Sequence, residues 1–250
     1  MIGICAIIKD CIPRYLIEWI EWHQLIGVDY FFIYDDKSTI PIAETLKSFK
    51  GVTVQLVHTE ENNRQLYAYN DYLSKQKDLP KCDWVAFIDD DEFIVIESGS
   101  IKAFLSDKKS SGIGLNWITF GADEKNKHLS QIERFKKHTP VNHKINKHVK
   151  SIIQPSLVSE FINPHSPSYI EGCSYGVRGN LIDGPFTTDP VHEVAWINHY
   201  YCKSRDEFMT KINRGRVNNT EKCKMEYFNE INNAASYTSA RIIDIKKNLS

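Results

Sequence analysis

The chain has 250 residues, 42% of them hydrophobic and 25% charged, with a formal net charge of −1. That length fits one large α/β domain or two small ones, with ample apolar material for a core. The near-zero charge excludes a global field that favours nucleic acid or an anionic membrane, so any such affinity needs a local patch.

Ile2 to Ile8 reads as a first buried strand. The run meets Lys9 and Asp10 at once, too short and wrongly flanked for a signal peptide or a membrane span. Of the six cysteines, none forms a Cys-x-x-Cys pair, and Cys5 and Cys82 lie in or beside core strands. Buried thiols in a reducing compartment follow, and a cytoplasmic location is the expectation.

Pro13 opens a helix over Arg14 to Ile26 that Gly27 stops. Trp19 and Trp22 on it read as packing residues. Asp29 to Tyr34 is a second strand, ending in the acidic turn Asp35-Asp36-Lys37-Ser38-Thr39. Ile42 to Phe49 is a short helix and Val52 to Val57 a third strand. Glu60 to Leu73 is a longer helix, with Leu66, Tyr69, Asn70 and Leu73 on one face.

The stretch from Trp84 to Phe93 organises the rest. A short apolar strand runs into four consecutive acids, Asp89, Asp90, Asp91 and Glu92. The order β-α-β-α-β-α-β predicts an α/β fold with a doubly wound, mostly parallel sheet, helices on both faces and right-handed crossovers. In such a sheet ligands bind at the carboxyl ends of the strands. Four carboxylates there repel one another, and a cation would offset that cost. On an extended backbone Asp89 and Asp91 share one side. Oxygen ligands suit Mg2+ or Mn2+, ions that share their shell with substrate phosphates. A solvated acidic turn is the plainer alternative, made less favourable by apolar residues on both flanks.

Ser98 to Leu105 reads as a helix with Ser100 near its start, and Gly112 to Phe120 as a strand. Arg134 to Lys150 holds six Lys or Arg, three His and no acid. It reads equally as a solvated charged loop or as a mobile basic flap that meets phosphate or an anionic glycolipid. Ser151 to Val158 is a further strand, Asn163 to Pro167 a loop, and Val191 to Tyr201 a late apolar strand with His192 and His199. Ser204 to Arg216 is a basic amphipathic helix, and Met225 to Asn248 is largely helical. No dinucleotide fingerprint, P-loop, zinc-protease motif or nucleophile elbow is present.

Four blocks carry a family resemblance. The first runs from Ile7-Ile8-Lys9 through Glu18-Trp19-Ile20-Glu21-Trp22-His23 to Tyr34-Asp35-Asp36-Lys37-Ser38. The second is Gln65 with Ala68-Tyr69-Asn70-Asp71. The third is Phe87-Ile88-Asp89-Asp90-Asp91-Glu92-Phe93. The fourth is Ile197-Asn198-His199-Tyr200-Tyr201-Cys202-Lys203-Ser204 with Glu207, Phe208 and Lys211. In this order they resemble GT-A fold glycosyltransferases, within the family-2-like and family-92-like group that has a D-x-D-E-F signature.

The resemblance implies a single domain over 1–250. Residues 1–120 would bind the nucleotide-sugar, 121–216 would take the acceptor and complete the metal site, and 217–250 would form a helical tail. Asp89 and Asp91 would fill the D-x-D role, Asp91 as the direct metal ligand, with His199 completing the Mn2+ or Mg2+ shell. Lys9, Asp90 and Asp35 or Asp36 would lie against the nucleotide, with Gln65 and Asn70 facing it. Lys203 and Arg205 would steady the leaving diphosphate. The donor would be a UDP-sugar, with UDP-galactose as the first guess. The acceptor would be a glycan or glycolipid of a cell-surface polysaccharide such as lipopolysaccharide, met at the inner face of a membrane. Ala122-Asp123-Glu124 departs from the small residues often found there, so acceptor specificity does not transfer.

An inverting reaction needs a carboxylate to accept the acceptor's proton. Glu193 is the first candidate, with Asp123 and Asp189 as alternatives; a surface salt bridge is the plain reading of Glu193. Two rival classes stand beside the glycosyltransferase. One is another metal-dependent phosphate enzyme, a nucleotidyltransferase or phosphatase. The other is a non-catalytic carbohydrate-binding protein.

Overall fold

A computed structural model describes residues 1–59, 62–215 and 224–249. Its first half alternates strand and helix as the sequence predicts up to Phe87, after which a further strand follows with no helix between. The elements are β1 (Ile2–Ile8), α1 (Pro13–Leu25), β2 (Tyr30–Asp35), α2 (Ile42–Leu46), β3 (Val52–Leu56), α3 (Arg64–Lys75), β4 (Trp84–Phe87), β5 (Glu92–Ile96), α4 (Ile101–Leu105) and β6 (Gly112–Thr119). β3, β2, β1 and β4 lie side by side and parallel. Alternate residues of β1 enter different cores: Ile4, Ala6 and Ile8 pack on the α1 side, Cys5 and Ile7 on the α3 side. That two-sided burial is why the strand is apolar at every position. Gly27 has φ +104 and ends α1.

The second half departs from a purely parallel winding. It contains α5 (Gln131–Arg134), β7 (Lys137–His138), β8 (Val149–Ile153), β9 (Val158–Asn163), β10 (Ser166–Tyr169), β11 (Ser174–Gly176), β12 (Leu181–Ile182) and β13 (Ala195–His199). It closes with α6 (Arg205–Arg214), α7 (Met225–Ala234), β14 (Tyr237–Thr238) and α8 (Arg241–Leu249). β8 inserts antiparallel between β4 and β6. β13 lies between β5 and β6, antiparallel to the first and parallel to the second. The fold is therefore α/β with a mixed sheet in which the unbroken parallel run, β3-β2-β1-β4, is N-terminal.

Several boundaries move. The strand expected over Ser151 to Val158 splits at Pro155 into β8 and β9, and the loop from Asn163 becomes the turn of the β9–β10 ribbon. The late strand is only Ala195–His199, which leaves His192 off it, buried with its ring on the Trp117 carbonyl at 2.7 Å. The C-terminal helix is two helices with β14 between them. Glu60, Glu61, Arg216, Cys223 and the start of the expected tail fall outside the described residues. Cys5 and Cys82 are buried free thiols, Cys11 and Cys173 are partly buried ones, and Cys202 is buried with its Sγ 3.9 Å from the Phe228 carbonyl. Among the described residues no helix is long and apolar enough to cross a membrane.

Helix α1 does more than pack. The outer edge of β5 would present unpaired backbone groups, a liability in any sheet. The Trp19 and Trp22 indoles donate to the carbonyls of Glu92 and Ile94 at 2.7 and 2.8 Å. His23 accepts from the Ile94 amide at 3.1 Å through Nε2, with Nδ1 on its own helix at the Trp19 carbonyl. Three α1 side chains thus finish the strand that follows the acids.

Candidate active site

Asp89, Asp90 and Asp91 do not lie on a strand; only Glu92 does, as the first residue of β5. β4 ends at Phe87, and Asp89 to Asp91 form a turn closed by the Glu92 amide on the Asp89 carbonyl at 3.1 Å. The two-residue alternation of an extended chain therefore does not apply, and the carboxylates reach different partners. A cavity of about 360 Å³ opens over this turn.

Asp89 accepts from Gln65 Nε2 at 2.6 Å and from Lys150 Nζ at 3.0 Å. Lys150 is buried and also lies 3.5 Å from Glu92. Burial opposes the Lys150 charge, but Asp89 and Glu92 outweigh it and push its pKa up. Glu92 is fully buried, and burial pushes its carboxyl well above the usual range. Its Oε2 accepts from the Asp89 amide at 3.0 Å, so it braces the turn from beneath. Asp90 is buried beside Cys11, whose thiol is pushed up by burial and then by the Asp90 charge.

Asp91 is buried and meets Lys211 Nζ at 2.7 Å and His199 Nε2 at 3.4 Å. Burial disfavours its charge, but Lys211 and then His199 hold its carboxyl well below the usual range. Sheet register delivers His199: it pairs with Glu92 across β5 and β13, and the Tyr200 amide donates to the Asp91 carbonyl at 2.8 Å. Burial pushes the His199 pKa down, with Asp91 pulling the other way. Among the described residues its buried Nδ1 has no hydrogen-bond partner. Lys211 comes from α6, whose Ser204–Glu207 capping box fixes its start. Arg214, one turn on, donates to the Lys9 carbonyl, and both residues line the cavity.

The other expected nucleotide contacts divide. Gln65 is in the cavity wall. Asp36 is buried in an ion pair with Arg64 at 2.8 Å, with Lys9 at 4.0 Å. Asp35 is spent on the backbone: its oxygens accept from the Ser38 and Ile42 amides at 2.8 and 3.0 Å. Asn70 braces β9 instead of facing a nucleotide, with both amide atoms on the Phe161 backbone at 2.7 and 3.1 Å. Lys203 adopts a left-handed backbone (φ 56) and lays its ammonium over the Tyr15 ring at 5.2 Å. The exposed Arg205 gives its amide to Glu124 at 2.8 Å. Among the described residues, the cations that line the cavity are Lys9, Lys150, Lys211 and Arg214.

No expected base lies in the cavity wall. Glu193 is exposed and paired with Arg178 at 2.5 Å. It precedes the amino end of β13, whereas His199 is at the carboxyl end, roughly 20 Å away along an extended chain. Asp123 accepts from the Lys125 and Asn126 amides at 2.9 and 2.8 Å and from the Asn126 side chain at 2.8 Å. Burial alone would raise its carboxyl; these bonds outweigh that and lower it. Asp189 is exposed and also outside the wall.

Nor is the basic run over 134–150 a mobile flap. Arg134 is buried, with bonds to both Glu207 oxygens at 3.0 and 3.1 Å and to Tyr15 at 2.6 Å. Lys150 is the buried cation beneath Asp89. Lys136, Lys137 and Lys144 between them are exposed. Trp117, His148 and His165 were not singled out from the sequence and also line the cavity.

The metal expectation meets a specific geometry. Among the described residues no group of three His, Cys, Asp or Glu side chains is arranged to hold an ion. Asp91 and His199 offer two adjacent donors, a set that fits an ion sharing its shell with substrate phosphates. Lys211 already neutralises Asp91, so an ion there shares or displaces that ammonium.

Comparison with known proteins gives the family. Residues 12–236 match the model of glycosyltransferase family 92. A family 92 protein of Oryza sativa subsp. japonica is 33% identical over 95 residues, and one of Ricinus communis 28% over 112. These matches cover 36% and 44% of this chain but only 15% and 20% of those proteins. Among solved structures, the galactosyltransferase LgtC with donor and acceptor sugar analogues aligns over 97% of this chain and 99% of its own, at TM-score 0.40 and 13% identity. A mannosyltransferase of Pyrobaculum calidifontis with GDP-mannose and Mn2+ aligns over 46% and 34%, at TM-score 0.35 and 13% identity. With nearly its whole length inside the family match, the chain belongs to glycosyltransferase family 92.

Proposed function

We propose that this glycosyltransferase takes its sugar from a nucleotide-sugar, a UDP-sugar with UDP-galactose first, and passes it to a glycan or glycolipid acceptor with inversion. The observation that carries this reading is the convergence of Asp89, Asp91, His199, Lys211 and Arg214 on one cavity. A diphosphate needs positive charge as it leaves, and the presence of Lys211, Arg214 and Lys9 in the cavity wall supports that role for them. Lys211 and Arg214 line the cavity and Lys203 and Arg205 do not, which supports giving the first pair that role. Asp91 and His199 would hold a divalent ion, Mn2+ or Mg2+, which when bound acts as a Lewis acid on the phosphate oxygens. Asp89 keeps Lys150 and Gln65 in place beneath the donor, and Glu92 holds the turn. Exposed Lys136 and Lys137 support a proposed docking to an anionic glycolipid surface at a membrane's inner face.

A screen of sugar nucleotides with Mn2+, and again with EDTA, tests the reading through release of nucleoside diphosphate. Release that needs both metal and acceptor is the expected result. Free phosphate or pyrophosphate would identify a phosphatase or nucleotidyltransferase reaction instead. Sugar binding with no release would leave a carbohydrate-binding protein.

A further inference from the structure

His148 and His165 face the cavity with their rings 5.3 Å apart, centroid to centroid. In each, Nδ1 is engaged by a backbone carbonyl: Ile145 for His148 at 2.9 Å and Val149 for His165 at 2.8 Å. A carbonyl oxygen only accepts, so Nδ1 must carry the proton in both rings. In a neutral imidazole the other nitrogen is then a bare acceptor. Burial, aided by the Lys150 charge, pushes both pKa values below the ordinary histidine range and favours that neutral form. The rings are also held in place. His148 stacks on Trp117 at 4.6 Å and 15° and takes the edge of Phe186 at 4.5 Å. His165 meets Trp117 edge-on at 5.3 Å.

Two fixed acceptors select what they bind. In that neutral form a phosphate oxygen would meet lone pairs with no proton to share. A hydroxyl supplies the missing proton. The same Trp117 ring that carries His148 lies 4.3 Å from His199, so the pair is one indole away from Asp91's partner.

We propose that His148 and His165 form a subsite for a neutral sugar ring, each Nε2 accepting a hydrogen bond from one sugar hydroxyl. The sugar's source rests on the glycosyltransferase reading above: it is the donor's transferred ring or the acceptor's ring. The hydroxyl chemistry is the same for both.

The test compares wild type, His148→Phe and His165→Phe with the sugar nucleotide and acceptor found by the screen. Each variant should raise KM for one substrate about tenfold, the loss of one buried hydrogen bond, and move kcat much less. A rise for the donor assigns the donor ring, and a rise for the acceptor assigns the acceptor ring. A single-deoxy analogue that lacks the contacted hydroxyl should lose affinity on wild type and lose nothing further on the variant. His148→Gln, which keeps an acceptor oxygen, should recover part of the loss. Equal deoxy penalties on wild type and both variants would overturn the subsite. Saturation-transfer NMR with methyl β-galactoside and methyl β-glucoside provides a readout independent of turnover. Binding to wild type that both Phe variants lose supports the subsite even if no sugar nucleotide is turned over. Equal signals on all three proteins, or none on wild type, count against it.

Discussion

The acids of this cavity and all of its cations but Lys9 come from opposite halves of the chain. Asp89, Asp90 and Asp91 follow β4 in the parallel half, where the strand order is regular and the loops are short. Lys150, Lys211 and Arg214 come from β8 and α6 in the half where winding is mixed. The first half brings negative charge to one place, and the second must be folded onto it before that charge is balanced. The site is thus assembled across the molecule, with neither half complete alone.

Substitutions on the two sides should separate the roles. Asp91→Ala removes the carboxylate that Lys211 and His199 share. We expect turnover to fall about 10³-fold, several kcal/mol of lost charge stabilisation, with circular dichroism unchanged. Near wild-type turnover would remove Asp91 from the site. On the cation side, Lys150→Met leaves Asp89 and Glu92 without their buried partner. Urea unfolding should show a loss of roughly 3 kcal/mol, the cost of breaking one half of a buried pair. A smaller loss would mean that Glu92 is already neutral and Lys150 serves Asp89 alone.

His23 gives the pH test in the parallel half. Burial pushes its pKa down to about 3, and both ring nitrogens are committed in the neutral form. The unfolded chain binds that proton near the ordinary value of about 6.5. Its contribution is therefore full above about pH 6.5 and is lost as pH falls toward 3, by up to about 1.4 kcal/mol per pH unit. Unfolding free energies measured across that window check the sign, and His23→Gln should flatten the slope. The smallest effect is expected at Glu193→Gln, on the far side of β13. Turnover should stay within about twofold and the unfolding midpoint should not move, as for a surface pair. A large loss would bring Glu193 back as a base.

The parallel half was largely legible because each strand is buried on both faces and therefore apolar throughout. The acids after Phe87 stood out for the same reason: charge directly after such a run is conspicuous. Lys150 and Arg134 were not legible. Both sit in a run of like charges, and their partners lie 61 and 73 residues away, at Asp89 and Glu207. Asp35 and Asn70 show the opposite failure. Each has the right residue type near the site, yet each is held by backbone N–H or C=O groups whose positions only the folded turn or ribbon reveals. The His148–His165 pair depends on two carbonyl acceptors, which leave no trace in composition or spacing.

β13 also sets the order in which the molecule is made. It is the strand between β5 and β6, yet it is encoded about a hundred residues after β5. Until residue 199 leaves the ribosome, one edge of β5 has no strand beside it. The nascent chain then holds a hydrophobic gap next to its most acidic turn. Distant pairings of this kind form slowly and leave intermediates prone to aggregate. Fragments that stop short of β13 should therefore be recovered as insoluble protein, however well their α1–β4 region is formed.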